Sequence, residues 1–324
     1  MKAVVLQRFG EPAEVMRVED VPLPEPGPGQ VRLRVAMSPI HNHDLALVRG
    51  LYGTLPALPH RPGTEAVGVV DAVGAGVTAL AVGDRVTGGV MGGWSEFALA
   101  DAARLVAVPP EVADETACQL SSMPMSAVRL LADLEAKPGD WIVQNAANGL
   151  VGKLLARLAA ERGIRVLNVV RRAAAIEEMA AEGIGDVVST DVEGWQERAR
   201  AITGAAPILR AVDSIGGRAA DELMDLVAET GRLVSFGSLS REPIQISNRN
   251  LLYKRATISG FWAARPDQKM TPEQLAAARL DLVRRAAEGS LRLPVAKIFA
   301  LAEAANAAAA SMQAGRGGKI VIRP

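Results

Sequence analysis

Cysteine, aromatic side chains and net charge are all scarce in these 324 residues, and each scarcity removes a class of protein. The single cysteine, Cys118, excludes an intramolecular disulfide and any zinc cluster built on several thiolates, and it fits a reducing compartment, with the cytoplasm the simplest reading. Lys plus Arg number 36 and Asp plus Glu number 36, so net charge is zero and no basic stripe offers a footprint for nucleic acid. No apolar run approaches the roughly 18 uninterrupted residues of a membrane span. The opening segment 1–9 reads as a short alternating strand, not as a charged-then-apolar leader. A small-molecule partner and copies of the chain itself are what remains. Aromatics make up only 3% of the residues, so each one is a candidate for a particular role.

What is present divides the chain into two grammars. A chain this long is expected to form two domains of roughly 100–200 residues each. Up to about residue 110, Val, Gly and Pro predominate, and short apolar runs at 30–36, 66–73 and 84–87 are broken by turn residues, which predicts a mainly β module. Helices are predicted at 113–120 and 126–134, and then strands and helices alternate. Strands are predicted at 141–145, 165–170, 187–189, 209–213, 232–236 and 257–261, with helices at 150–162, 174–182, 193–202 and 219–227 between them. Such βαβ repetition calls for a doubly wound parallel sheet with helices on both faces, the Rossmann arrangement. After residue 266 come a helix at 272–288, a strand at 295–300, an alanine-rich helix at 302–314 and a strand at 319–322. The expected domains are 1–116 joined with 266–324, and 117–265. The fold class is therefore α/β.

The strand at 141–145 runs into Ala146-Ala147-Asn148-Gly149-Leu150-Val151-Gly152 and then a helix, giving A-x-G-x-x-G. Small residues at 147 and 149 let the backbone turn tightly against a pyrophosphate, Gly152 lets the helix pack on the strand, and the helix N-terminus offers free N–H groups to the anion. Asn148, Gly149, Leu150 and Val151 are the expected contacts. The next strand ends in Val169-Val170-Arg171-Arg172, where an NAD-binding protein usually has an acid for the ribose 2′-hydroxyl. Cations at this corner suit a 2′-phosphate, so NADPH is favoured over NADH, with Arg171 taken before Arg172. Asp213-Ser214-Ile215-Gly216-Gly217 and Phe236-Gly237-Ser238 end two later strands, either lining the nicotinamide ribose, with Gly237 as a contact, or forming tight turns.

Four further motifs carry a resemblance: Gly63-Thr64-Glu65-Ala66-Val67-Gly68-Val69-Val70, Val82-Gly83-Asp84-Arg85-Val86, Gly93-Trp94-Ser95-Glu96-Phe97 and the closing Gly318-Lys319-Ile320-Val321-Ile322. Over essentially its full length the chain resembles the medium-chain dehydrogenase/reductase superfamily. Gln144-Asn145-Ala146-Ala147-Asn148, Asn168-Val169-Val170-Arg171 and Gly260-Phe261-Trp262 are similar to the mitochondrial-type trans-2-enoyl thioester reductases, with the NADPH:quinone oxidoreductases as near neighbours. The resemblance implies a GroES-like, mainly β substrate domain beside the Rossmann domain, and a homodimer formed through the strand at 257–261, whose open edge needs a cover.

The same resemblance bears on chemistry. Where zinc alcohol dehydrogenases place their metal ligands, this chain has His41, Thr64 and a cysteine-free stretch near Ser122, and the cysteine-rich structural zinc lobe is missing, so no metal is expected. Conjugate reduction needs no zinc: hydride arrives at the β carbon of an enoyl thioester, charge collects on the thioester oxygen, and a hydroxyl protonates the α carbon. Tyr52 matches the tyrosine that serves the enoyl reductases as this donor; quinone oxidoreductases commonly carry a tyrosine there too. Trp262 resembles a tryptophan that lines the enoyl pocket, and Phe261 precedes it. His41 and His43 depart from the Asn and Ser usual in the enoyl reductases, and Val128 replaces an aromatic. A histidine there can relay a proton near neutral pH or be satisfied by its neighbours. Asp44 is expected to orient the turn after His43, and Glu65 to be a buried structural acid. Reduction of an enoyl thioester with NADPH is the leading expectation, quinone reduction the alternative, and a non-catalytic, crystallin-like NADPH-binding protein the reading from another class.

Overall fold

The computed structural model describes all residues except positions 205, 266–268 and 314. Its chain gathers into two compact units, Met1–Ser122 with Ala276–Pro324, and Met123–Leu275. The domain limit expected at 266 and the helix end expected at 314 lie outside the described residues.

In the first unit the chain forms β1 (Lys2–Leu6), α1 (Pro12–Val15), β2 (Met16–Asp20), β3 (Gln30–Pro39), α2 (Asn42–Val48), β4 (Glu65–Val73), β5 (Arg85–Gly89), β6 (Phe97–Asp101), β7 (Leu105–Ala107) and the single turn α3 (Asp114–Ala117). The second unit contributes α4 (Met123–Leu134), β8 (Trp141–Gln144), α5 (Leu150–Glu161), β9 (Arg165–Val170), α6 (Ala174–Ala181), β10 (Val187–Ser189), α7 (Trp195–Thr203), β11 (Ile208–Asp213), α8 (Ala219–Leu226), β12 (Arg232–Ser235) and β13 (Thr257–Gly260). Helix α9 (Pro272–Ala287) leads back to the first unit, which β14 (Val295–Ala300), α10 (Ala304–Ser311) and β15 (Lys319–Arg323) complete.

Period-two alternation builds the first unit. Val31, Leu33 and Val35 of β3 turn inward to Ala66, Val70, Val86, Ala98 and Ala100, while Arg32 and Arg34 between them turn outward. The sheet runs β14-β15-β3-β4-β5-β7, with β6 also paired to β3, so the C-terminal strand joins the N-terminal third directly. A second core gathers Leu6, Ile40, Leu45, Val48, Trp94, Phe299, Ile320 and Ile322. Alanines 304, 307 and 308 pack here at helical spacing, which explains a helix so poor in large side chains. The buried Trp94 Nε1–H donates to the Pro39 carbonyl at 3.1 Å, fixing the end of β3.

The second unit has six strands in the order β10-β9-β8-β11-β12-β13, every pair parallel. Counted along the chain this is the 3-2-1-4-5-6 Rossmann order, with its topological switch between β8 and β11. Val143, Leu167, Val169, Ala211 and Leu233 of the sheet pack with Trp195, Leu223 and Met224 of the helices. Among the described residues no helix is long and apolar enough to cross a membrane.

The structure differs locally from the sequence expectation in three places. The helix expected at 113–120 closes after one turn: the N–H groups of Gln119 and Leu120 bond three residues back, and those of Ser121 and Ser122 turn to the Glu65 carboxyl. Alpha-helix α2 and a π-helical turn at Arg249–Tyr253 appear where only loops were expected. The tight seat of α5 is testable at Gly152, where a Cβ would lie 2.7 Å from the Ala147 carbonyl oxygen. Gly152→Ala should destabilise the protein by about 1–3 kcal/mol, read as a lower urea midpoint; an unchanged midpoint would show that the helix is not held this closely.

Candidate active site

Strand β3 ends next to Ile40, and the chain then enters α2 through His41. The His41 backbone N–H donates to Asp44 Oδ2 at 2.9 Å, so an acid three residues into the helix fixes its entry. The other oxygen, Asp44 Oδ1, accepts the Thr64 hydroxyl at 2.7 Å, and Thr64 Oγ1 lies 2.7 Å from His43 Nε2. Thr64 immediately precedes β4. Glu65, the first residue of that strand, points to the other side: its Oε2 is 2.7 Å from His41 Nε2, and its Oε1 accepts the N–H groups of Ser121 and, at 3.0 Å, Ser122. The two imidazoles stack with centroids 5.0 Å apart, and the Tyr52 ring lies 6.0 Å from His43. Tyr52 itself is half-buried against the apolar core. His41, His43 and Tyr52, singled out separately in the sequence, thus come together.

Burial governs the charges. The side chains of His41 and Glu65 are both 0% exposed. Removal from water pushes the Glu65 carboxyl from 4.5 up to about 8, against the two backbone N–H groups that pull it down. The same effect holds the His41 imidazole well below its ordinary 6.5, with Lys319 and His43 adding to it. Lys319, enclosed nearby, is brought down by burial to about 8. Burial thus disfavours the charged form of both members of the His41–Glu65 pair, and among the described residues His41 Nδ1 is left buried without a hydrogen-bond partner.

In the second unit, β8 leads through Ala146, which takes φ 49°, a left-handed conformation unusual for alanine and characteristic of strained functional turns. The turn is closed by the Gly149 N–H on the Ala146 carbonyl at 3.0 Å, and Gly149 then caps α5, whose first N–H groups have no acceptor within the helix. Asn148, Gly149, Leu150 and Val151 all lie at this helix entrance. Buried Asn145 holds the turn to the neighbouring strand: its Nδ2 donates to Asp213 Oδ1 at 2.6 Å and its Oδ1 accepts the Ser214 N–H at 2.7 Å. Asp213 in turn accepts the N–H groups of Ile215 and Gly216, while its own carbonyl accepts those of Phe236 and Gly237. Gly237 is thereby tied to the same crevice.

At the end of β9 both arginines are exposed, but they differ. Arg172 is paired with Glu178 at 2.9 Å, whereas the Arg171 side chain has no hydrogen bond or ion pair among the described residues. Beyond β13, Phe261 lies 6.0 Å from the Phe236 ring and the Arg265 guanidinium sits over Trp262 at 5.5 Å. Arg129, Ser235, Gly260, Phe261, Trp262 and Arg265 line a depression of about 380 Å³.

Comparison with known proteins gives these features a lineage. Residues 27–110 match the family model described as an alcohol dehydrogenase GroES-like domain, and residues 151–279 the one described as zinc-binding dehydrogenase. Mitochondrial enoyl-[acyl-carrier-protein] reductases of Bos taurus and Homo sapiens are each 31% identical to this chain over 97% of it and 86% of their own length. The chain belongs to the medium-chain dehydrogenase/reductase superfamily. Within that superfamily, similar solved structures include a quinone oxidoreductase of Pseudomonas syringae, with 27% identity, TM-score 0.85 and coverage of 100% of this chain and 99% of that one. A mycobacterial protein complexed with NADPH has 27% identity and TM-score 0.86, with both chains covered fully.

Sequence reasoning left two members of the polar cluster without a role. Thr64 was visible only inside a motif, although its position beside a glutamate at the start of a strand means that the two side chains serve opposite faces. Lys319 was visible only as the start of a closing strand, and its place near Glu65 depends on the β15–β3 pairing.

The buried carboxyl has a pH signature. Between 4.5 and about 8 only the unfolded chain ionises Glu65, so its contribution to stability falls as pH rises and levels off above about 8. His41 acts oppositely and only below its ordinary 6.5, where the unfolded chain takes up a proton that the buried imidazole does not. From pH 6.5 to 8 the carboxyl contribution, roughly 2 kcal/mol, is unopposed by His41. The melting temperature should therefore fall by a few degrees more over this window in the wild type than in Glu65→Gln; equal slopes would show that Glu65 is ionised when folded.

Proposed function

We propose that this protein is an NADPH-dependent reductase that acts without zinc and transfers hydride to the activated C=C bond of a trans-2-enoyl thioester. The observation that carries the reading is the Tyr52 ring packed 6.0 Å from His43, whose Nε2 meets the Asp44–Thr64 pair. The enoyl reductase names of the similar curated proteins support it.

NADPH suits the second unit. The entrance of α5 offers the N–H groups of Asn148, Leu150 and Val151 to a pyrophosphate while Gly149 closes the turn beneath them, and the Asn145–Asp213 bond holds that entrance against the turn carrying Gly237. Arg171 is the cation available for a 2′-phosphate, Arg172 being engaged by Glu178. Phe261 and Trp262 supply flat apolar faces for the nicotinamide side or an acyl chain. The similar mycobacterial structure holds NADPH.

Zinc does not suit the first unit, although one matching family model is described as zinc-binding. His41 Nε2 is spent on Glu65, and the second Glu65 oxygen on two backbone N–H groups. Cys118 is buried, and burial and neighbouring acids push its thiol well above the ordinary range, away from the thiolate a metal requires. Among the described residues no three His, Cys, Asp or Glu side chains are grouped to hold a metal.

When bound, NADPH supplies the hydride to the β carbon. The Tyr52 hydroxyl then protonates the α carbon of the resulting enolate. His43 stands next to that phenol, and His41 supports His43 from the buried side. A homodimer is favoured by β13, an edge strand whose residues are largely exposed, flanked by Leu252 and Tyr253 at 65% and 77% exposure. The lone buried cysteine favours the cytoplasm. Quinone reduction is the second reading, supported by the similar Pseudomonas structure.

Oxidation of NADPH in parallel assays with a short trans-2-enoyl-CoA and with 1,4-benzoquinone separates the readings: thioester turnover is expected, and turnover of the quinone alone would overturn the proposal. Tyr52→Phe should lower thioester turnover by about 10- to 1,000-fold with little change in NADPH affinity; unaltered turnover would remove Tyr52 from the chemistry. Arg171→Ala should weaken NADPH by at least about 10-fold more than NADH, measured by fluorescence titration, whereas equal losses would reject the 2′-phosphate assignment.

A further inference from the structure

Tyr52 leaves the proposed reaction as a phenolate, so something must return its proton before the next turnover. The hydrogen bonds around His43 have a direction that identifies the source. Asp44 Oδ2 accepts the His41 N–H, and Asp44 Oδ1 accepts the Thr64 hydroxyl proton. A hydroxyl has one proton to give. Having given it to Asp44, Thr64 Oγ1 meets His43 Nε2 at 2.7 Å as an acceptor, and the proton in that contact belongs to the imidazole. His43 is thus fixed as its Nε2–H tautomer, and Nδ1 carries the lone pair.

We propose that Asp44, Thr64 and His43 form a proton-return chain for Tyr52, in which Asp44 and Thr64 are positioning residues and His43 Nδ1 carries the proton. The inference rests on the enoyl reductase reading given above. Its steps balance. Nδ1 takes a proton from solvent, which the 23% exposure of the His43 side chain permits, to give an imidazolium. Tyr52 Oη gives its proton to the substrate α carbon, and the His43 imidazolium, whose ring centroid stands 6.0 Å from that of Tyr52, then returns a proton from Nδ1–H to the phenolate, restoring neutral His43 and the phenol. Throughout, Nε2–H remains bonded to Thr64. Asp44 Oδ1, 3.5 Å from Nε2, stabilises the transient positive charge. His41 cannot replace His43 in this role, because its ring is fully buried and its Nε2 faces Glu65.

The ring nitrogens report the arrangement directly. In the nitrogen-15 NMR spectrum of histidine-labelled protein without cofactor, His43 is expected as the Nε2–H tautomer at a pH where it is neutral. Thr64→Val should shift it toward a mixture of tautomers, and Thr64→Ser should restore it. With enoyl thioester, Thr64→Val should lower kcat about 10-fold while leaving the KM for NADPH unchanged, Thr64→Ser should recover most of the loss, and His43→Ala should regain activity on addition of free imidazole. A wild-type Nδ1–H tautomer would overturn the chain, and so would a Thr64→Val enzyme with altered tautomer but wild-type kcat. Absence of thioester turnover by the wild type would overturn the reaction and with it the return of a proton to Tyr52, while the NMR spectrum would still decide the direction of the hydrogen bonds.

Discussion

A single buried carboxyl organises the candidate site. Glu65 joins three segments distant in sequence: the first residue of β4, the ring of His41 at the entry to α2, and the turn at Ser121 and Ser122. An ionised carboxylate with no water around it would be strongly destabilising, and one route open to a protein is to keep the group protonated. Here burial raises Glu65 and depresses His41, and the two side chains meet in one hydrogen bond of 2.7 Å. Because the side chains of consecutive extended residues point to opposite faces, anchoring Glu65 also aims Thr64 at His43. The positions of both imidazoles follow from the one constraint.

The second unit solves a related problem with an amide. A Rossmann crevice needs loops with free backbone N–H groups, and such loops are poorly held by their own main chain. Asn145 and Asp213 supply the missing order, with one side-chain pair bonding the glycine turn after β8 to the turn after β11, and the Asp213 carbonyl extending the link to Gly237 after β12. Gln144 adds a second buried tie, its Nε2 donating to Asn168 on β9 at 2.8 Å and to the Gly152 carbonyl of α5 at 2.8 Å. The strand ends of the candidate site are thus locked laterally by polar side chains, and the apolar core beneath supports the sheet.

This division explains what was legible in the sequence. Strands β8, β9, β10 and β12 and helices α5 and α6 lie within a residue or so of where pattern placed them, because buried parallel strands and the helices covering them are written in local apolar periodicity. That these strands run parallel followed from the βαβ repetition. The polar contacts followed no local rule. Which of Arg171 and Arg172 stands free depends on Glu178, one turn into the next helix, and the tyrosine and two histidines could be named individually without their hydrogen bonds. Tertiary contacts also replace part of a predicted helix, the Ala117 carbonyl accepting the Thr87 hydroxyl and the N–H groups just beyond it turning to the Glu65 carboxyl. Alpha-helix α2 was missed for a similar reason: its seven residues are too short for periodicity to register, and it is held by Asp44 at its entry and by Leu45 and Val48 in the core.

The two stacked imidazoles divide the labour between them by environment. Placed 5.0 Å apart, they repel if both are protonated, and the buried one is already biased toward neutrality by desolvation and by Lys319. His41 is therefore suited to hold structure and poorly suited to exchange protons. His43 reaches solvent on one side and the Asp44–Thr64 pair on the other, so any proton traffic through this cluster passes through it. A cation at this site would have to separate His41 from Glu65, leaving the carboxyl to ionise in the core and the Ser121 and Ser122 turn without a neutral partner. The interactions that hold the cluster together are the same ones that occupy its histidine, threonine and carboxyl groups.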